Sequence, residues 1–397
     1  MFKIGIVGCG TQAATIAGHL GIYGDAYEVV AVMDTNFEHA KAAIAGKKVV
    51  LAADCSFFGE LDDFVATAAG LDGIIVGTPC AFHTDVACKL EKFHAPIHLE
   101  KPAAITLEQV RRLHAAFKNS PTPVQVSLPM RVCPLATEAK RIIDSGEIGT
   151  VEQVAGHEDV AGGDGYFSTW YRDFAKTGGM FLQKAVHDID YMCHLAGSRP
   201  KQVCAMSAQR VFGGDKPFAL RCEQCGEQLS CPESPYNRFQ ERGWGKTASE
   251  GASSCCRFSK GIKIDDIGEC IIELESGAQL SHTQNFFVHN DAYRRGAHFY
   301  GYKGTLVLDF SNHAIKVMSH RRRRTEEIDM PYGPFNHYDG DKDLVFDFLK
   351  TMKTGERSRT DLIKGDGIFS TLACLYARES ANQRKFMDIK TAQELEV

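Results

Sequence analysis

The 397-residue chain lacks three things. No apolar run approaches the roughly 20 residues that span a bilayer, so a membrane protein is not expected. Neither charge sign dominates. Lys and Arg number 45 against 50 Asp and Glu, a formal charge of -5, which offers nucleic acid no broad basic surface. The start lacks the pattern of a secretory leader, because its apolar stretch is short, carries Lys3 and is consumed as a strand. The expected compartment is therefore cytoplasmic, where 14 cysteines read as thiols or metal ligands rather than disulfides. No internal repeat is visible.

What is present is an ordinary globular composition, 44% apolar and 24% charged. The length exceeds what one core usually serves, so two domains are expected, 1–125 and 126–397. The opening strand Phe2 to Val7 runs into Gly8-Cys9-Gly10-Thr11-Gln12-Ala13 and a helical segment. Gly8 suits the tight turn, Gly10 a close approach of pyrophosphate, and Ala13 the packing of helix on strand. The helix N-terminus then faces the phosphate charge. A second strand, Glu28 to Met33, ends at Asp34, about 20 residues beyond the turn, where a carboxylate recognises ribose hydroxyls. Thr35 and Asn36 follow without a cation to hold a 2′-phosphate, so NAD is expected over NADP.

Up to about residue 125, strands at 2–7, 28–33, 48–52, 72–77, 95–99 and 123–128 alternate with helical patterns. That is an α/β pattern, a doubly wound parallel sheet. Further on come hairpins, Gly268 to Leu274 with Ala278 to Phe287, then His298 to Gly301, Gly304 to Leu308 and Ala314 to Ser319. Helical segments are read at 134–145, 180–195 and 340–385. The second domain is accordingly α+β, with helices on one face of an open, mostly antiparallel sheet. Arg321 to Arg324 reads as a solvated hairpin tip.

Three further elements carry chemistry. Thr78-Pro79-Cys80 with His83 follows the fourth strand, and Glu100-Lys101-Pro102 follows the fifth, both at the strand ends where open α/β sheets bind ligands. Lys101 should point towards the nicotinamide end. In the segment from Thr177 through Asp190 and on to Cys193, Leu182, Val186, Ile189 and Cys193 repeat at helical spacing, leaving Gln183, His187 and Asp190 as a polar stripe. Gly178 and Gly179 would let a ligand approach the first turn. A hydrogen-bonded structural histidine is the plain alternative for His187, and a surface lysine the plain alternative for Lys101.

With Ser145-Gly146-Glu147-Ile148-Gly149, Trp170-Tyr171-Arg172 and Ala377-Arg378-Glu379-Ser380 added, these motifs resemble the glucose-fructose oxidoreductase, inositol dehydrogenase and MocA family over nearly the whole chain. The resemblance implies an NAD(P)-dependent oxidoreductase of a sugar, cyclitol or derivative, with a Rossmann domain and an open-sheet domain that often forms dimers or tetramers. It implies cofactor contacts at Gly8, Gly10, Thr11, Gln12, Ala13, Asp34, Thr78, Pro79, His83, Glu100 and Lys101. His187 would take the hydroxyl proton and Lys101 would stabilise the alkoxide. Candidate substrate contacts are Arg131, Tyr166, Trp170, Arg172 and His337. Many members carry Asp four residues before the histidine; Gln183 stands there instead, able to hydrogen-bond a hydroxyl but not to take a proton. Lys184 is read as an added cation, against a solvent-facing alternative. Cys80 replaces a common Asn.

Residues 213–262 read as an insertion with Cys222, Cys225 and Cys231, then Cys255-Cys256. Three close thiols and a fourth downstream suit structural zinc, with iron–sulfur left open by the spacing. Similar insertions occur in some members, and aligning the following strand from Asp266 favours Cys256 as the fourth ligand. Two other functions share this fold: a glycosidase that uses bound NAD as a transient oxidant, and a non-catalytic sensor of NAD and sugar.

Overall fold

Six short strands form a parallel sheet in the order β3-β2-β1-β4-β5-β6. They are β1 (Phe2–Val7), β2 (Tyr27–Met33), β3 (Leu51–Phe58), β4 (Gly73–Val76), β5 (Ile97–Leu99) and β6 (Val124–Val126). The computed structural model describes residues 1–24, 27–235, 237 and 254–395. Every residue of β4, β5 and β6 is buried, as expected for strands covered on both faces by helices. The sequence order reverses between β1 and β4, and that reversal opens a crevice at the strand C-terminal ends.

A second sheet of nine strands has the order β14-β13-β12-β11-β7-β10-β9-β8-β15. Its members are β7 (Val151–Asp159), β8 (Pro200–Ala208), β9 (Ile267–Leu274), β10 (Gln279–Asn285), β11 (Arg294–Gly301), β12 (Gly304–Asp309), β13 (Ala314–Ser319), β14 (Thr325–Asp329) and β15 (Met387–Asp388). All neighbours pair antiparallel except β7 with β10. The expected hairpins are β9 with β10 and β11 through β13, and Arg321 to Arg324 lie exposed between β13 and β14.

Three boundaries differ from expectation, the first being that of β3, read at 48–52 and found at Leu51–Phe58. The stretch read as helical from 340 to 385 is two helices, Gly340–Thr354 and Phe369–Gln383. The first stops at Gly355, whose φ of 73° makes it a left-handed C-terminal cap. Nor does everything beyond residue 125 belong with the second sheet. Helix Gly340–Thr354 buries Val345, Phe348 and Leu349 against Ile4, Val29 and Ile75 of the first. The segment after it hydrogen-bonds β6 through Val126 N to Thr360 O and Leu362 N to Val124 O. The chain thus returns to its first domain near its end, so residues 340–362 pack with the amino-terminal core.

Candidate active site

A cavity of about 520 Å³ lies over the crevice, walled by the ends of the parallel strands, by the segment Tyr166 to His187 and by His337. Its floor is the glycine turn. Gly8 has φ 78°, and a Cβ there would stand 2.4 Å from the Thr78 backbone nitrogen, because β1 and β4 exit side by side. Gly10 is different: a Cβ on it would meet nothing within 4 Å, and its open face lines the cavity, where a phosphate could approach the backbone. A Cβ on Gly77 would stand 2.6 Å from the Ala13 side chain, which explains why the third small residue is needed. Asp34 accepts hydrogen bonds from Cys9 N and Asn36 N, each 2.8 Å, and so fixes the turn to the end of β2. The carboxylate also raises the Cys9 thiol, which burial pushes up to about 12, leaving an inert thiol under the turn.

Thr11, Gln12, Thr78, His83, Glu100 and Lys101 all line the cavity. Thr78 Oγ1 is buried with no partner among the described residues, a polar atom a bound dinucleotide would satisfy. The residues therefore fit NAD. His83, besides lining the cavity, also joins the strand ends. Its Nδ1 lies 2.8 Å from Pro102 O and its Nε2 2.8 Å from Thr78 O, so the ring sits between the two strand-end loops and donates its one N–H to one of these carbonyls. The Lys101–Pro102 peptide between them is cis. His39, at the head of the helix after β2, also lines the cavity; nothing in the sequence pattern singled it out.

The reacting end is assembled across the two domains. Lys101 Nζ donates to the backbone carbonyl of Gln183 at 2.7 Å. Gln183 lies in a wide π-helical turn, Phe181–Ala185, which leads into the helix Val186–Ala196 carrying His187. The Gln183 amide nitrogen is itself committed, to Thr177 O at 2.7 Å and Cys80 Sγ at 3.3 Å. His187 is 2% exposed, and its Nδ1 has no partner among the described residues. Burial, then the charges of Lys101, His337, Arg295 and Lys184, hold its pKa well below the ordinary value, so the ring is neutral. Gly178 and Gly179 do not admit a ligand. Their φ values are 75° and 96°, and a Cβ on Gly178 would press on Leu182 and Ile105. Arg378 donates to Gly178 O and Ile105 O, tying this turn to the first domain.

Three of the expected substrate residues line the cavity, Tyr166, Trp170 and His337. Trp170 stacks on Tyr171 with ring centroids 4.1 Å apart, and Tyr166 meets Tyr171 edge-on at 4.8 Å, giving an aromatic wall. Three others do not line it. Arg131 is buried in an ion pair with Asp190 and lines a separate cavity. Arg172 stacks on Phe218 at 3.8 Å and donates to Cys256 O, so it anchors the insertion. Lys184 is turned away into a buried network with Glu158 at 3.0 Å, which Arg295 joins while also holding Asp188.

The zinc expectation finds no support in the structure. Among the described residues no group of three or more His, Cys, Asp or Glu is arranged to hold a metal, and Cys222, Cys225, Cys231 and Cys256 are free thiols. The four are neighbours, since the others add to the burial that raises Cys222, yet they do not converge on one centre. The insertion is held by other means. Arg257 pairs with buried Asp164 at 2.5 Å and donates to Glu233 O, and Phe212, Ile262 and Ile264 pack with Phe167 and Phe286. Residues 236 and 238–253 of the insertion lie outside the described residues.

Fold and site together define a class, oxidoreductases with a dinucleotide-binding Rossmann domain and an open-sheet partner. The description "Oxidoreductase family, NAD-binding Rossmann fold" matches residues 2–128, and "GFO/IDH/MocA C-terminal domain" matches residues 136–307. The chain belongs to the GFO/IDH/MocA family. An inositol 2-dehydrogenase of Rhizobium meliloti (strain 1021) is 29% identical over 207 residues, covering 52% of this chain and 58% of the relative. A scyllo-inositol 2-dehydrogenase (NAD(+)) of Bacillus subtilis (strain 168) is 31% identical over 130 residues, 32% of this chain and 36% of the relative. Both alignments thus span less than two thirds of those relatives. A levoglucosan dehydrogenase solved with NADH and L-sorbose shares the fold, with a TM-score of 0.75 at 16% identity over 99% of this chain and 100% of the other. No helix among the described residues is long and apolar enough to cross a membrane.

Proposed function

We propose that the chain is an NAD-dependent dehydrogenase or reductase acting on a hydroxyl carbon of a sugar, cyclitol or derivative. The observation that carries this reading is the contact of Lys101 Nζ with Gln183 O, which brings a cation from the first domain to the turn that opens the His187 helix. Bound dinucleotide supplies the hydride acceptor, on the crevice at the strand ends. Neutral His187 is suited to accept the proton leaving the substrate hydroxyl. Lys101, fixed by the carbonyl, stabilises charge developing on that oxygen and needs no reorganisation to do so. Gln183 acts through its backbone as the strut for Lys101, so the missing carboxylate at this position does not remove the proton acceptor. The wall of Tyr166, Trp170 and Tyr171 offers flat apolar faces to the C–H side of a ring. The inositol and levoglucosan dehydrogenases among its relatives and structural neighbours support a polyhydroxylated ring as substrate. Asp34 without a neighbouring cation supports NAD over NADP. We further infer a dimer or tetramer through the open face of the nine-stranded sheet, where Met206 and Ile271 are exposed.

A panel of cyclitols, sugars and glycosides, each with NAD and with NADP, tests the reading. Stoichiometric NADH with at least one cyclitol or sugar is expected. Aglycone release without accumulating NADH would establish the glycosidase alternative, and NADH binding without either product would make the protein a sensor.

A further inference from the structure

His337 reaches the cavity from an unusual backbone. His337, Tyr338 and Asp339 have φ values of 51°, 56° and 69°, three successive non-glycine residues in the left-handed region. The turn is held by Asp339, whose carboxylate accepts Gly333 N and Phe335 N, and by Tyr338, whose hydroxyl meets that of Tyr293. Its result is that the His337 ring lies 5.3 Å, centroid to centroid, from that of His187. On its other side His337 Nδ1 lies 2.7 Å from Asp341 Oδ1, and Asp341 Oδ2 accepts Gln12 Nε2 at 3.1 Å. The chain of contacts thus runs from the dinucleotide turn through a buried carboxylate and one imidazole to a second.

We propose that His337, oriented by Asp341, is the group to which His187 passes the substrate's hydroxyl proton, and from which that proton reaches solvent. The proposal rests on the dehydrogenase reading above. It answers a difficulty in that reading: His187 is surrounded by Lys101, Lys184 and Arg295, so a proton it accepts must leave for the next turnover. Asp341 is where an imidazolium is best tolerated. Burial alone would push its carboxyl up, but His337 beside it, the Gln12 hydrogen bond and His19 hold it below the ordinary value, hence ionised. An ionised Asp341 fixes the hydrogen of His337 on Nδ1 and leaves the Nε2 lone pair as acceptor. The His337 side chain is 27% exposed, whereas His187 is sealed, so the exit lies on the His337 side. In balance, the carbinol loses hydride to the oxidised nicotinamide and its hydroxyl proton to His187. That proton moves, directly or through one water, to His337 Nε2 and then to bulk, leaving the carbonyl product, NADH and one released proton.

The test uses the full chain with the substrate found in the panel. His337→Asn is chosen because Asn tolerates the left-handed backbone, and Asp341→Asn is measured beside it. The expected result is a fall in kcat of about 10-fold or more for His337→Asn. The NADH dissociation constant and substrate KM should stay within about threefold. Free imidazole should restore much of the lost kcat in His337→Asn and leave the unmodified protein unaffected. A merely structural role would not produce that rescue. A His337→Asn protein with full kcat overturns the relay, as does a loss that imidazole cannot restore or that falls on KM. If the unmodified protein binds NADH but reduces NAD with no substrate in the panel, the dehydrogenase reading itself fails, and the relay with it.

Discussion

His187 sits where an imidazolium is disfavoured, and this fixes how activity should depend on pH. A base must be neutral to accept a proton, and the pKa of His187 is held well below 6.5 by burial and by Lys101, His337, Arg295 and Lys184. The neutral form therefore persists as pH falls through the range where an ordinary histidine charges. Oxidation should lose no activity to His187 between pH 7.5 and 6, read as kcat; a drop following an ordinary histidine titration would contradict its placement. His187→Ala should lower kcat by about 100-fold or more while changing NAD affinity little. A fully active variant would remove His187 from the mechanism. At this scale the placement of Lys101 and His187 on the cavity is legible from a strand end and a polar helical stripe. Asp341 was not, because its partners Gln12 and His337 are separated from each other by more than 300 residues and meet only in the fold.

Among the elements, the insertion after β8 behaves least as its sequence suggested. Four cysteines imply a metal, yet the segment is held by guanidinium groups that bond backbone carbonyls and by a small apolar cluster. Neither feature has a sequence signature, since an arginine that caps carbonyls reads like any surface arginine. Breaking a buried pair leaves one uncompensated charge, a cost of about 3–5 kcal/mol. Arg257→Ala should remove the guanidinium from buried Asp164 and from Glu233 O, lower Tm and open the insertion to limited proteolysis, both measured against the unmodified protein. An unchanged Tm and cleavage pattern would show that Arg257 does not hold the segment. The hairpins and the glycine turn, by contrast, were readable because turn residues and strand periodicity are local. The parallel pairing of β7 with β10 was not, because it joins segments more than 100 residues apart that local patterning cannot register.

In the molecule as a whole, the return of the chain near its end is what completes the site. Helix Gly340–Thr354 packs on β1 and β2 while the turn before it delivers His337 beside His187. A division of the chain at residue 125 cuts through β6 (Val124–Val126) and misses this crossing, since a helix's apolar face does not say which sheet covers it. The cavity is consequently built from both domains: the glycine turn and Lys101 from the first, Gln183, His187 and the aromatic wall from the second. In the proposed reaction, hydride passes between a ring carbon and the nicotinamide at the Lys101 and His187 edge. Its most direct test is label transfer, with the substrate found in the panel deuterated at its carbinol carbons and the reduced cofactor analysed by mass spectrometry and NMR. One deuterium per NADH formed is expected, on a single face of nicotinamide C4, with a transfer rate reduced together with turnover in His187→Ala. Turnover of the labelled substrate with no deuterium in the cofactor would contradict that reaction.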